Sequence, residues 1–203
     1  MLTLHLPQWT GHGINLPGGF AEYCAYPQGK VFKIENLTDI EATLIEPASC
    51  AAHGLDKIRP RLGSSVLMFG AGPTGLVSSP SPPSHHPMVI FNPPFVPETQ
   101  MLAQLLRQNG CSQVTIAAPG GLKMNLAREL DAADHYIELS RANPVPQFEQ
   151  IKKDNPHGFD IVVEATGSVK ILEDAINYCR RGGTLVVYGY VLTSSSWHPP
   201  CTG

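Results

Sequence analysis

Three glycines and their neighbours carry the clearest chemistry in this chain. Residues 70–75 read Gly-Ala-Gly-Pro-Thr-Gly and follow the apolar run 65–69, Ser-Val-Leu-Met-Phe. A strand that enters such a turn suits a dinucleotide. The first glycine allows a tight turn, the second lets backbone approach a pyrophosphate, and the third lets a helix pack closely on the strand. The pyrophosphate would sit at the N-terminus of the next helix, where free N–H groups and the helix dipole favour an anion. Gly70, Gly72, Pro73, Thr74 and Gly75 are therefore candidate cofactor-binding residues.

A carboxylate normally stands at the end of the second strand, about 20 residues past this turn, to hold the ribose hydroxyls of NAD. With residues 77–100 set aside, Ala118 falls at that distance from Gly75 and has no carboxylate. Nothing there repels a 2′-phosphate, and Lys123 is near enough in sequence to attract one. The pair tilts the expected cofactor to NADP over NAD, although Lys123 also reads as an ordinary solvated helix lysine. Thr166 and Gly167 follow the fourth expected strand, and Tyr188 ends the fifth. Strand ends of this kind line the ligand crevice of an open parallel sheet. Glu46 and His53 lie two turns apart on one helix face, and each also reads as a plain surface or packing residue. His85 and His86 could suggest a metal but sit in a segment of foreign character.

The elements that must position these residues follow a βαβ pattern from Ser65 onward. Strands are expected at 66–69, 113–117, 135–139, 159–164 and 183–188. Helices are expected at 101–108, 122–130, 147–153 and 169–179. The alternation predicts an α/β fold, a doubly wound parallel (Rossmann) sheet with helices on both faces. Upstream, residues 18–26 and 31–34 read as strands, Asp39 as a helix cap, and Pro47 as the start of a helix through Leu55.

Residues 77–100 break this pattern. Seven prolines fall between Pro80 and Pro97, and no helix is expected to run through the segment. Removing it joins Gly75-Leu76 to Met101-Leu102 and gives a continuous apolar helix. The segment reads as a translated, unspliced intron, since valine codons begin with GT and a glutamine codon can end in AG. The rival reading is a proline-rich recognition loop.

Composition excludes several classes. The 203 residues carry a net charge of −3, which argues against nucleic acid or an anionic membrane as partner. No apolar run approaches the roughly 18 residues of a membrane span. The first residues lack the pattern of a signal peptide. Five widely spaced cysteines suit reduced thiols, and so a cytoplasmic location, better than a disulfide framework.

Four motifs in this order resemble the zinc-containing medium-chain alcohol dehydrogenases, and most closely their sorbitol/arabinitol (polyol) branch. They are Gly18-Gly19-Phe20-Ala21-Glu22-Tyr23, Glu46-Pro47-Ala48-Ser49-Cys50-Ala51-Ala52-His53-Gly54, Gly70 to Gly75, and Val163-Glu164-Ala165-Thr166-Gly167. The resemblance implies an oxidoreductase that moves hydride between a small polyol or secondary alcohol and NAD(P). It also implies a zinc ion that activates the alcohol oxygen and a homo-oligomeric parent. It implies a partial GroES-like, β-rich catalytic domain over 1–56, a nucleotide-binding domain over 57–190 with 77–100 inserted, and a non-native tail over 191–203. Of the metal-site residues it implies, only Glu46 is present. The early cysteine, the Gly-His-Glu segment and the four-cysteine zinc loop are missing, so both ends are expected to be truncated and zinc is not expected to be retained. The alternatives are an inactive nucleotide-binding fragment and a mis-spliced product.

Overall fold

The computed structural model describes residues 12–13, 16–72 and 98–189. Pro73, Thr74, Gly75, most of the proline-rich segment and the tail lie outside the described residues, as do His85 and His86. The chain divides into two compact units at Ala42–Thr43.

The second unit is a five-stranded parallel sheet in the order β3-β2-β1-β4-β5. Its strands are β1 (Ser65–Phe69), β2 (Gln113–Pro119), β3 (His135–Leu139), β4 (Phe159–Glu164) and β5 (Cys179–Val187). Alternation along β1 sends Val66 and Met68 to one face and Leu67 and Phe69 to the other, all four essentially inaccessible. The first face packs Ala51 and Ile58 of α2 (Ile45–Ile58), Leu102, Ala103 and Leu106 of α3 (Glu98–Gln108), and Met124 and Ala127 of α4 (Leu122–Glu129). The second packs Ile151 of α5 (Val145–Asp154), Ala175 of α6 (Val169–Ala175) and Tyr178 from the 3-10 turn that follows. There Phe69, Phe148 and Tyr178 meet edge to face, with Phe69 and Tyr178 centroids 5.2 Å apart. A sheet apolar on both faces needs helices on both, and this one has them. The expected Rossmann sheet is therefore present. At its lower end Asp160 accepts hydrogen bonds from the backbone N–H and the hydroxyl of Ser65 (2.9 and 2.8 Å) and pairs with Arg180.

Several element boundaries differ from expectation. α2 starts at Ile45, two residues before Pro47, and runs on to Ile58, ending on the left-handed Arg59 (φ 47°). By its contacts it belongs to the sheet unit. α3 starts at Glu98 rather than Met101, so the last three residues of the segment expected to be non-helical are helix. The long helix expected over 169–179 stops at Ala175 and tightens to a 3-10 turn at Ile176–Tyr178.

In the first unit the strands expected at 18–26 and 31–34 do not form. Residues 16–42 contain a 3-10 turn at Gln28–Lys30, the short α1 (Asp39–Ala42) and otherwise irregular chain. A strand needs a partner for its backbone groups, and the one bridge described here joins His12 to Leu16. The cap of α1 is also not Asp39, which is its first helical residue. Thr38 caps it instead. Its hydroxyl accepts from the Glu41 N–H, and the Glu41 carboxylate accepts from the Thr38 N–H at 2.8 Å, a reciprocal capping box. Among the described residues no helix is long and apolar enough to cross a membrane.

Candidate dinucleotide site

The strand order places β2 on one side of β1 and β4 on the other, so the order in which the parallel strands are laid down reverses about β1. The crevice beyond the carboxyl ends of β1 and β4 is where an open α/β sheet takes its ligand. Gly70 leaves β1 with φ 110°, a conformation that L side chains rarely adopt. A Cβ there would lie 2.9 Å from the Ala165 carbonyl oxygen, so the turn after β1 closes against the end of β4 only because residue 70 is glycine. At Gly72 a Cβ would lie 3.0 Å from Lys123 Nζ. The sequence-separated pair Gly72 and Lys123 are thus neighbours, and an ammonium stands over the turn that would face a phosphate.

Ala118 is 3% exposed, and its side chain packs on the α3–α4 face of the sheet. The residue that ends β2 is Pro119, and Arg141 reaches the following loop with a 3.4 Å hydrogen bond from Nη2 to the Gly120 carbonyl. A carboxylate does stand near this loop. Glu138, paired in register with Ala118, would have its Oε2 2.8 Å from a Cβ on Gly120. Its Oε1 is held by Arg128 at 3.1 Å.

Thr166 and Gly167 form the rim at the end of β4, and the residue that shapes them is Glu164. It is fully buried, and its Oε1 accepts from the Thr166 N–H (2.6 Å), the Gly167 N–H (3.0 Å) and the Thr166 hydroxyl. Its backbone carbonyl accepts from the N–H groups of Tyr188 and Gly189, each at 2.8 Å, tying the end of β5 to the same rim. Gly189 fits because it has no side chain. A Cβ there would lie 2.5 Å from the Gly167 nitrogen and 2.8 Å from Glu164 Oε2. In the sequence the one signal for Glu164 is a carboxylate that closes an apolar strand.

Tyr188 turns away from this rim toward α2, where its ring would be 2.9 Å from a Cβ on Gly54. It lines a cavity of about 580 Å³ with Glu46, Cys50, His53 and Glu98. Burial, then the nearby Glu98, Cys50 and Glu46, pushes its phenol well above the usual range. The donor atoms of Glu46, Cys50 and Glu98 lie within 4.8 Å of one another, a group that could hold a metal ion. It is not the donor set that the resemblance implies. Burial and the 3.5 Å hydrogen bond to Glu46 raise the Cys50 thiol in the empty site, and a bound metal would displace that proton.

Two more residues at the turn had no sequence signal, because both fell in the segment set aside as foreign. Thr99 and Gln100 are fully buried. The Thr99 hydroxyl donates to the Gly72 carbonyl. Gln100 Nε2 donates to the carbonyls of Ala71 (3.1 Å) and Lys123 (3.0 Å), while its Oε1 is buried without a partner. An orphaned amide oxygen of that kind costs about 1–3 kcal/mol.

A second cavity, of about 670 Å³, opens beside the strand ends between α5 and α6. Phe69, Pro119, Phe148, Thr166, Ser168 and Tyr178 are among its lining.

Comparison with known proteins agrees with this geometry. A family profile described as "Zinc-binding dehydrogenase" matches residues 99–200. D-arabinitol dehydrogenase 1 of Uromyces fabae is 50% identical over 198 residues, which cover 97% of this chain and 50% of that one. L-threonine 3-dehydrogenase of Sinorhizobium fredii is 26% identical over 180 residues, covering 88% and 44%. Among solved structures, a protein of Sinorhizobium meliloti described as a zinc-binding dehydrogenase bound to NADP superposes with a TM-score of 0.68 at 23% identity, over 93% of this chain and 48% of that chain. An Escherichia coli alcohol dehydrogenase complexed with NADH gives 0.65 at 22% identity, over 87% and 44%. The chain spans about half the length of the curated relatives it matches. The profile match covers half of the chain, and the chain belongs to the zinc-binding dehydrogenase family.

Proposed function

We propose that this chain is the nicotinamide-dinucleotide-binding part of an oxidoreductase that interconverts a small polyol or secondary alcohol and its carbonyl product. The observation that carries the reading is the turn at Gly70 and Gly72, set at the switch point of the sheet under the Lys123 ammonium. The polyol class comes from the 50% identity to D-arabinitol dehydrogenase 1.

A bound nicotinamide supplies a hydride acceptor, and the alcohol loses its hydroxyl proton as the carbonyl forms. The chain's own residues bind and orient. Gly70 and Gly72 let backbone approach the diphosphate, and Lys123 offers it a charge. Thr166 and Gly167, held by Glu164, shape the rim toward the nicotinamide ribose. The aromatic-lined cavity behind Pro119 and Thr166 has the size and apolar lining for a purine ring.

NADP is favoured over NAD. Ala118 faces the α3–α4 side and Pro119 ends β2, so neither offers the ribose a carboxylate; the nearby Glu138 is engaged by Arg128, and Lys123 at the start of α4 and Arg141 beyond β3 are cations near the end of β2. Glu46 is the one residue of the implied metal site that the chain keeps, and no zinc is assigned, because its neighbours Cys50 and Glu98 are not the early cysteine and Gly-His-Glu ligands that the resemblance implies. A cytoplasmic homo-oligomer acting on a small molecule fits the cysteines and the family. The second reading, a nucleotide-binding protein without turnover, is favoured by that same donor set.

Fluorescence titration with NADPH and NADH tests the reading. NADPH is expected to bind more tightly. Lys123→Ala is expected to raise its Kd roughly 10- to 100-fold, the loss of one charge-assisted contact. Unchanged binding in that variant would remove Lys123 from the site. Oxidation of arabinitol, xylitol or sorbitol with added zinc would show that the metal site is intact, and binding without turnover would favour the second reading.

A further inference from the structure

Counting back from Met101 along α3 gives Gln100, Thr99 and Glu98. Counting back from Met101 in the chain with 77–100 set aside gives Leu76, Gly75 and Thr74. The two triplets therefore stand at the same positions relative to the helix. The third glycine of the turn motif exists so that helix and strand can pack closely. At its register position stands Thr99, fully buried, with its hydroxyl pressed against the Gly72 carbonyl. Where the apolar Leu76 would enter the core stands Gln100, fully buried, with one end satisfied by Ala71 and Lys123 and the other orphaned. In place of Thr74 stands Glu98, whose carboxylate lies beside Glu46 and Cys50 rather than at the glycine turn.

We propose that Glu98-Thr99-Gln100 is a stand-in first turn for α3, which completes the helix while weakening the grip of the glycine turn on a diphosphate. The Thr99 side chain occupies space that glycine leaves open. Gln100 ties the glycine turn to the start of α4, so the first turn of the helix that carries Lys123 is fixed by the same substitute residues. The chain then holds two sequences able to begin one helix, and Glu98-Thr99-Gln100, the one among the described residues, is the poorer ligand seat. This rests on the dinucleotide reading above.

The test compares the full chain with a variant lacking residues 77–100, and with Thr99→Gly in the full chain. NADPH and NADH are titrated by fluorescence and Tm is measured without ligand. The shortened chain is expected to melt higher and to bind at least about tenfold tighter, the size of one recovered charged contact. Thr99→Gly is expected to tighten binding by a smaller factor. Equal affinity in the full and shortened chains, or a lower Tm in the shortened one, overturns the proposal. If the shortened chain fails to fold, an unchanged Kd in Thr99→Gly overturns it instead. Binding by neither form would sink the dinucleotide reading and, with it, the claim of a weakened ligand grip, and a higher Tm in the shortened chain would leave only Glu98-Thr99-Gln100 as the poorer start for α3.

Discussion

Residues 16–42 and the sheet unit are similarly rich in apolar residues but bury them very differently. In the sheet, Val66, Leu67, Met68, Leu102 and Leu106 are all at 0% exposure. In the other stretch Phe20 is 104% exposed, Tyr23 91% and Phe32 82%, and no residue from 16 to 42 is buried. Burial of such side chains stabilises by about 1.5–3 kcal/mol each, so the stability of the described residues resides in the sheet. The difference teaches that apolar residues define a core only where the chain supplies a second surface. β1 has neighbours on both edges and helices on both faces. Among the described residues, those at 18–26 have no strand beside them.

The largest effect expected from this contrast is a paired truncation. Leu106→Ala removes a fully buried side chain between α3 and the sheet and should cost about 2–5 kcal/mol. Phe20→Ala removes a larger side chain from an exposed position and should change stability by less than about 0.5 kcal/mol. Urea melts of both variants check the pair. A Phe20→Ala cost near that of Leu106→Ala would show that residues 16–42 share the core.

Asp160 gives the next effect, and one that belongs to the sheet alone. Hydrogen bonds from the Ser65 N–H and hydroxyl, with Arg180 beside it, outweigh partial burial and hold its carboxyl below the ordinary carboxylate value. A depressed pKa favours the folded state wherever the group is ionised. This contribution is complete above the unfolded value, near 3.9, and is lost as pH falls through the lower folded value. Asp160→Asn should cost about 1.5–3 kcal/mol at neutral pH and flatten the acid limb of the stability curve. Tm measured from pH 7 down to pH 2 checks both. A variant with an acid limb as steep as the wild type would assign the loss to other carboxylates.

How far each region was legible follows from the same difference. The βαβ alternation after Ser65 is written in short apolar runs such as Val66-Leu67-Met68-Phe69 and Ile161-Val162-Val163, and all five expected strands form. Their order about β1 was implicit in the glycine turn. The start of α3 was not legible. Glu98, Thr99 and Gln100 are polar and follow Pro97, and only their packing under Gly72 and Ala71 makes them helix. Nor was the direction of Tyr188, because a residue near a strand end gives no hint that its ring will lie on Gly54 of a helix far away in sequence. Residues 18–26 have a strand-like composition, and what they lack is a partner. Local pattern cannot report that.

The smallest effect is the sharpest on this point. Thr38 and Glu41 satisfy each other's backbone N–H groups and begin α1 in the regular way. In a helix that contributes to a core, replacing such a cap by alanine costs about 1 kcal/mol. α1 buries none of its four residues, so the cap orders a turn that little else depends on. Thr38→Ala should therefore leave the main urea transition within about 0.3 kcal/mol of the wild type, since an isolated helix shorter than about 12 residues is marginal in water with or without its cap. Amide exchange should show the change that the melt does not, with the Glu41 and Ala42 N–H groups losing what protection they have while those of β1 and β4 keep theirs. A cost near 1 kcal/mol in the melt would instead place α1 in the same cooperative unit as the sheet, and the exposed apolar residues beside it would then need a surface to explain them.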